Sequence, residues 1–298
     1  MKISVLQNRQ YLCEALPDGP DARESFLHRQ QQALEEVFLL AEEAARNGAR
    51  ILVTTETVNR LAAPADPRMG PGMPPEPLDG NLVRRFGRIA GKYGAYLIAG
   101  LLTEQDGRPY NTAVLLGPDG RLFGYYNKTH IPAGEAVTPG GRLPVFDTDC
   151  GRIGILICWD MQFPEAARAL SLSGADLICC PTWGWENLYG LCRAYENGVT
   201  IAAANALPAH GEMWPWCDPS CIVDPMGRVA ACGARDRTGI ITADLDLRRE
   251  PPLQYFAERV TSIRSMRQLR TMQRRPELYG GLTEKTPPLL QRYESEKK

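Results

Sequence analysis

Cys158 closes the apolar run RIGILIC (152–158) and is followed by Trp159, Asp160 and, at Pro164, the start of a helix. A side chain at such a strand-to-helix elbow projects from the carboxyl edge of a sheet, where α/β proteins bind their ligands. A thiol there is a candidate nucleophile if a base lies beside it, and the backbone N–H of Trp159 points into the same space as an oxyanion donor. Cysteine is also a common small core residue, so the local sequence leaves both readings open.

Two kinds of base are available. His130 and His210 lie in suitable loops, whereas Glu56 delivers a carboxylate at the end of the buried strand ILVTTE. Lys128, in YYNKTHIP, also follows a strand; in a cleft with Glu56 and Cys158 it would stabilise developing negative charge. Metal chemistry is not expected. Cys217 and Cys221 are spaced C-x3-C without a second such pair, and the three histidines (28, 130, 210) form no ligand pair.

These residues need a scaffold, and the alternation of segments supplies one. Strands are expected at 1–7, 49–56, 95–104, 110–117 and 121–127, with helices over 23–47 and 81–93. The first helix carries Leu34, Val37, Phe38, Ala41 and Ala45 on one face and ends at Gly48; Asp79 is placed to cap the second. The second half repeats the pattern: strands at 152–158, 175–182, 198–205 and 239–247, a helix begun by Pro164 and ended by Gly174, and another near 184–197. The turns GPDGRL and DPMGRV read as hairpins in corresponding places of the two halves. Loops 61–80 and 206–219 are long; loops of this length in compact domains are often functional.

The chain has 298 residues, 34 basic and 35 acidic, with 44% hydrophobic and 23% charged. That composition excludes disorder and fibrous repeats. A formal net charge of -1 offers no footprint for nucleic acid or an anionic membrane. No apolar run approaches the ~20 residues of a spanning helix. MKISVLQ reads as a strand rather than a signal peptide, and nine scattered cysteines point to reduced thiols in the cytoplasm.

Glu56 at a strand end, Lys128 in NKTHIP and Cys158 in GILICWDMQFPEAAR together resemble the Glu-Lys-Cys triad of the nitrilase superfamily of carbon–nitrogen hydrolases. Further matches are RAYENGVTIAAAN (193–205), SCIVDPMGRV (220–229), the ADLDL strand (243–247) and RRPELYG (274–280). The resemblance implies an α/β fold, a four-layer αββα sandwich, in one domain over 1–280 with 281–298 as a C-terminal tail or interface arm, associating into a homodimer or higher homo-oligomer. It implies Cys158 as nucleophile, Glu56 as general base, and Lys128 with the Trp159 N–H as oxyanion support. Glu135, in GEAVTPG, matches a second glutamate that orients substrate and Lys128. A small amide or N-carbamoyl compound would be cleaved through a thioester with release of ammonia, without a cofactor.

Thr55 stands where members often have proline, which puts the backbone approach to Glu56 in question. Asp160, rather than glutamate, after the Cys-Trp pair makes nitrile hydrolysis the lesser alternative. Met161 and Gln162 replace the arginines that N-carbamoyl-D-amino-acid hydrolases tend to carry there. A catalytically silent scaffold would usually have lost one of the three residues, and a thiol redox protein would want a resolving cysteine near Cys158. Trp159 and Trp183, with Trp185, Trp214 and Trp216, follow Cys158 and line either an acyl pocket or the core. Arg193 and Glu196, at i and i+3, form either a brace for the site or an ordinary surface pair. The tail arginines (264, 267, 270, 274, 275) read equally as an interface arm or a solvated face, and RYESEKK as a mobile end.

Overall fold

The apolar strands of the two halves build two separate sheets whose inner faces meet. The computed structural model describes residues 1–10, 20–59, 75–208, 213–254 and 262–290. Most of loop 61–80, His210 and the whole of RYESEKK lie outside the described residues. Two compact units are present, Met1–Glu250 and Pro251–Lys298.

The first half of the chain forms β1 (Lys2–Gln7), β2 (Arg9–Gln10), α1 (Pro20–Arg46), β3 (Ala49–Val53) and β4 (Glu76–Pro77). It continues with α2 (Asn81–Tyr93), β5 (Tyr96–Gln105), β6 (Arg108–Leu116) and β7 (Leu122–Asn127). The second half gives β8 (Val145–Thr148), β9 (Gly151–Ile155), α3 (Pro164–Leu172), β10 (Leu177–Thr182) and α4 (Asn187–Asn197). It closes with β11 (Thr200–Asn205), β12 (Leu207–Pro208), β13 (Cys221–Val223), β14 (Val229–Cys232) and β15 (Gly239–Asp244). A seven-stranded sheet runs β15-β1-β3-β5-β6-β7 with β4 on β5, and a six-stranded sheet runs β14-β13-β11-β10-β9-β8.

Period-two alternation sorts the core. Ile51 and Val53 of β3 join Ile98, Leu115, Ile155 and Cys179 in one buried cluster. Leu52 faces the other way, packing with Leu97, Val37, Phe38 and Phe86 beneath α1 and α2. Helices α3 and α4 pack on each other, and α4 packs on β11 and β13 of the second sheet. The result is the expected αββα sandwich. In the second unit, α5 (Met266–Met272) is capped by Ser265, whose Oγ accepts from Gln268 N at 3.0 Å.

Several expectations shift at the element ends; the last strand, expected over 239–247, stops at Asp244. The strand expected to reach Glu56 leaves the ladder after Val53, because Thr54 turns its hydroxyl to Gly100 N (3.0 Å) and Thr57 takes φ +42°. The strand expected to reach Cys158 ends at Ile155, and Cys158 (φ +46°) opens a 3-10 turn. Asp79 does not cap α2: Gly80 is the cap residue, and Glu76, reaching from β4, accepts from Leu82 N at 2.6 Å instead.

Gly100 on β5 is what lets the Glu56 turn lie so close to the sheet. A Cβ there would sit 2.4 Å from Thr55 O and 2.9 Å from Glu56 Cα. Both obstacles are backbone, so Gly100→Ala must displace the turn, at a cost of ~1–3 kcal/mol. A lowered urea midpoint together with lost activity is expected; an unchanged midpoint with full activity would show that the turn tolerates the methyl.

Candidate active site

The site lies where β3, β7, β9 and β10 run out. Glu56 follows β3, Lys128 follows β7, Cys158 follows β9, and Thr182 ends β10 with Trp183 next. Because β3–β5 and β9–β10 are parallel pairs, their carboxyl ends are delivered to the same edge of each sheet.

Lys128 is the centre of the cluster. Only 2% of its side chain is exposed, and Nζ donates to Glu56 Oε1 at 2.9 Å and Glu135 Oε2 at 2.7 Å. Burial works against its charge, yet the charges of Glu56 and Glu135 hold its pKa above the ordinary lysine value. The ammonium is therefore permanent, a fixed positive charge in a buried site. Cys158 is the opposite case. Burial first, then the charge of Glu56, push its thiol up to about 12, against the pull of Lys128, the Trp183 backbone N–H and the Thr182 hydroxyl. The resting sulfur is a thiol, so its reaction requires a base.

Thr55, the departure from the common proline, is tied into this frame. Its hydroxyl donates to Asn8 Oδ1 at 2.6 Å and accepts from Gln10 Nε2 at 2.7 Å; the same Gln10 amide donates to Glu56 O at 2.8 Å. Side-chain hydrogen bonds thus fix the backbone on either side of the carboxylate.

Two buried side chains complete the cluster: Asn111, which the sequence did not single out, and Asp160, which it used only to weigh the substrate. Asn111 Nδ2 lies 2.7 Å from Glu56 Oε1 and 2.7 Å from Glu135 Oε1. Asp160, fully buried, accepts from Ile157 N (2.9 Å), Tyr126 Oη (2.8 Å), Thr129 Oγ1 (3.0 Å) and His130 N (2.8 Å), with His130 Nδ1 at 2.8 Å. It fastens the Lys128 loop to the Cys158 turn. Its position at the third residue of that turn, reaching back to an N–H before the first, was the available signal.

The other candidates separate. Trp183 offers its backbone N–H to the sulfur, while its ring meets Trp214 at 4.9 Å, and Trp214 stacks on Trp216 at 5.8 Å. Trp185 belongs to the core: fully buried, its Nε1 donates to Asn187 Oδ1 at 2.9 Å. Trp159 is 41% exposed. His130 is taken up by Asp160 and stacks on Phe163 at 4.0 Å. Arg193 pairs with Glu196 at 3.2 Å on the buried side of α4, not as a surface pair. Among the described residues no group of three metal-ligating side chains occurs.

The charge arrangement makes a spectroscopic test possible. Ultraviolet thiolate absorbance, taken as the difference from Cys158→Ser, is expected to titrate well above the ~8.5 of a free thiol. Glu56→Gln removes a like charge and must move that midpoint down. A wild-type midpoint at or below the free-thiol value would overturn the reading of the resting sulfur.

The sequence profile of the carbon-nitrogen hydrolase family matches residues 6–253. The omega-amidase NIT2 of Xenopus tropicalis is 34% identical over 263 residues, covering 81% of this chain and 88% of that protein. The deaminated glutathione amidase of Mus musculus is 32% identical over 272 residues, covering 82% of this chain and 78% of that one. Among solved structures, a carbon-nitrogen hydrolase from Helicobacter pylori G27 aligns with a TM-score of 0.69 at 23% identity, over 96% of this chain and 98% of that one. A mutant amidase from Nesterenkonia sp. AN1 aligns with a TM-score of 0.67 at 22% identity, over 94% and 95%. With that profile over most of its length and amidases among its relatives, the chain belongs to the carbon-nitrogen hydrolase family and is an amidohydrolase acting on a carbon–nitrogen bond other than a peptide bond.

Proposed function

We infer that the protein hydrolyses the terminal amide of a small acyl chain through a thioester on Cys158, with Glu56 as base and Lys128 as oxyanion support. The observation that carries this reading is an ammonium buried between two carboxylates beside a protonated thiol on a left-handed turn. Glu56 takes the thiol proton as the sulfur attacks the amide carbon. The Lys128 ammonium and the Trp159 backbone N–H meet the tetrahedral oxyanion. Glu56 returns the proton to the leaving nitrogen, ammonia departs, and a thioester remains. Water, deprotonated by Glu56, then attacks the thioester, releasing the acid and restoring the thiol. Glu135 holds Lys128 in place throughout. The indoles of Trp159 and Trp183 flank the acyl group.

The relatives named omega-amidase support a primary amide at the end of a chain. Ammonia release is the measurement to make, across primary amides, N-carbamoyl amines and nitriles. Release from amides, including succinamate, and its loss in Cys158→Ala are expected. Release from nitriles alone, or turnover persisting in Cys158→Ala, would overturn the thioester reading.

We also propose a homodimer or larger homo-oligomer in the cytoplasm. Leu188 (74% exposed), Cys192 and Tyr195 (44% exposed) form a stripe along α4, spaced for one helix face. An exposed apolar stripe of this kind fits contact with a second copy. The eight described cysteines are all free, which fits a reducing compartment. Among the described residues no helix is long and apolar enough to cross a membrane. Light scattering after gel filtration should give at least twice the chain mass, falling in Leu188→Glu; a monomer in the wild type would overturn self-association.

A further inference from the structure

We propose that Asn111 is a positioning residue of the hydrolytic cycle, whose amide clamps Glu56 and Glu135 through one oxygen each and leaves Glu56 Oε2 as the oxygen that moves the proton. This rests on the reading of Glu56 as base. The geometry is a closed ring. Lys128 Nζ reaches Glu56 Oε1 at 2.9 Å and Glu135 Oε2 at 2.7 Å. Asn111 Nδ2 closes the other side, 2.7 Å from Glu56 Oε1 and 2.7 Å from Glu135 Oε1.

The residue type follows from the charges. Two carboxylates share one ammonium, so the ring of these residues is one positive charge short of neutral. A primary amide carries two N–H donors and no charge, which gives one hydrogen bond to each carboxylate. Aspartate would supply a third negative charge and no donor. Leucine would fill the space without a hydrogen bond. Lysine would take the place of Lys128 as the charge the carboxylates see.

Asn111 also acts through the main chain. Lys128 N donates to Asn111 O at 2.8 Å, so one residue fixes the backbone of the cation and the side chains of both anions. Among the described residues both hydrogen bonds to the Glu56 carboxylate fall on Oε1, which is thereby occupied twice. An oxygen that already accepts two short hydrogen bonds is a poor proton acceptor. Oε2 remains for the exchange with Cys158, the leaving nitrogen and water.

Among the described residues the titratable and charged groups seen at the ring are Glu56, Glu135, Lys128 and Cys158, and the test uses all of them in place. Asn111→Leu and the smaller Asn111→Ser would be compared with wild type in ammonia release from succinamate across pH. A fall in kcat of about 10–100-fold is expected, with KM little changed. The acid limb of the kcat/KM profile should rise by about one pH unit, because the ionised carboxylates lose a hydrogen bond. A general loss of packing would lower kcat without moving that limb. Carbon-13 NMR of the glutamate carboxyl carbons gives the same comparison without turnover: one carboxyl midpoint should rise in both variants. If wild type does not cleave succinamate, the substrate reading fails and the NMR comparison still decides the role of Asn111. Variants that retain wild-type kcat, acid limb and carboxyl midpoints would overturn the proposal, and serine keeps the test open should leucine fail to fold.

Discussion

A lysine with 2% of its side chain exposed, held at 2.9 and 2.7 Å from two carboxylates, is the constraint around which the rest is arranged. Taking one ammonium and two carboxylates out of water is costly, and mutual attraction offsets this only where geometry is good and the remaining hydrogen-bonding capacity is met. Removing one member of such a group leaves an unpaired buried charge, worth ~3–5 kcal/mol. Each member must therefore be brought to its place by something rigid. Here Glu56 and Lys128 stand at the ends of β3 and β7 in one sheet already committed by its core, and Glu135 comes from the loop after β7, held by Lys128 and Asn111. The energetic demand of the ion cluster and the catalytic demand for fixed charge are met by the same framework.

The electrostatics divide the labour between neighbours. Glu56 raises the Cys158 thiol and Lys128 opposes it, and burial decides the balance in favour of the protonated sulfur. A thiol kept neutral at rest is less open to oxidation and stray alkylation than a thiolate. Reactivity then appears only when a substrate carbonyl and the Glu56 carboxylate act on the sulfur together. The positive φ of Cys158, costly for a residue with a side chain, is held by the Asp160 carboxylate on Ile157 N–H, between strand β9 before the turn and helix α3 after it.

Much of this was legible in the residues. Glu56, Lys128 and Cys158 each close an apolar run, and a charged or nucleophilic group there is conspicuous; Glu135 became visible only through family resemblance. Asn111 was hidden by register. Counting back from the Pro118-Asp119-Gly120 turn without interruption would set Asn111 opposite Asn127. The ladder instead slips by one at Phe123, pairing Leu116 with Leu122 but Leu115 with Gly124 and Thr112 with Asn127. A one-residue bulge reverses which side chains share a face, and nothing local announces it. The strand ends were hidden for a related reason. Thr54 and Thr55 have good strand propensity, yet their hydroxyls bond to Gly100, Asn8 and Gln10, and these distant partners decide the path.

Asp160 carries a consequence for how the site comes apart. Its two oxygens accept from Ile157 on one side and from Tyr126, Thr129 and His130 on the other. The segment bearing the nucleophile and the segment bearing the cation are thus latched by one carboxylate, which would be left buried and unsatisfied if either swung away alone. Partial opening is disfavoured relative to opening of both, so the two segments form one cooperative unit. Damage or heating then passes the site from armed to dismantled with no long-lived state in which the cysteine persists without its counter-charges.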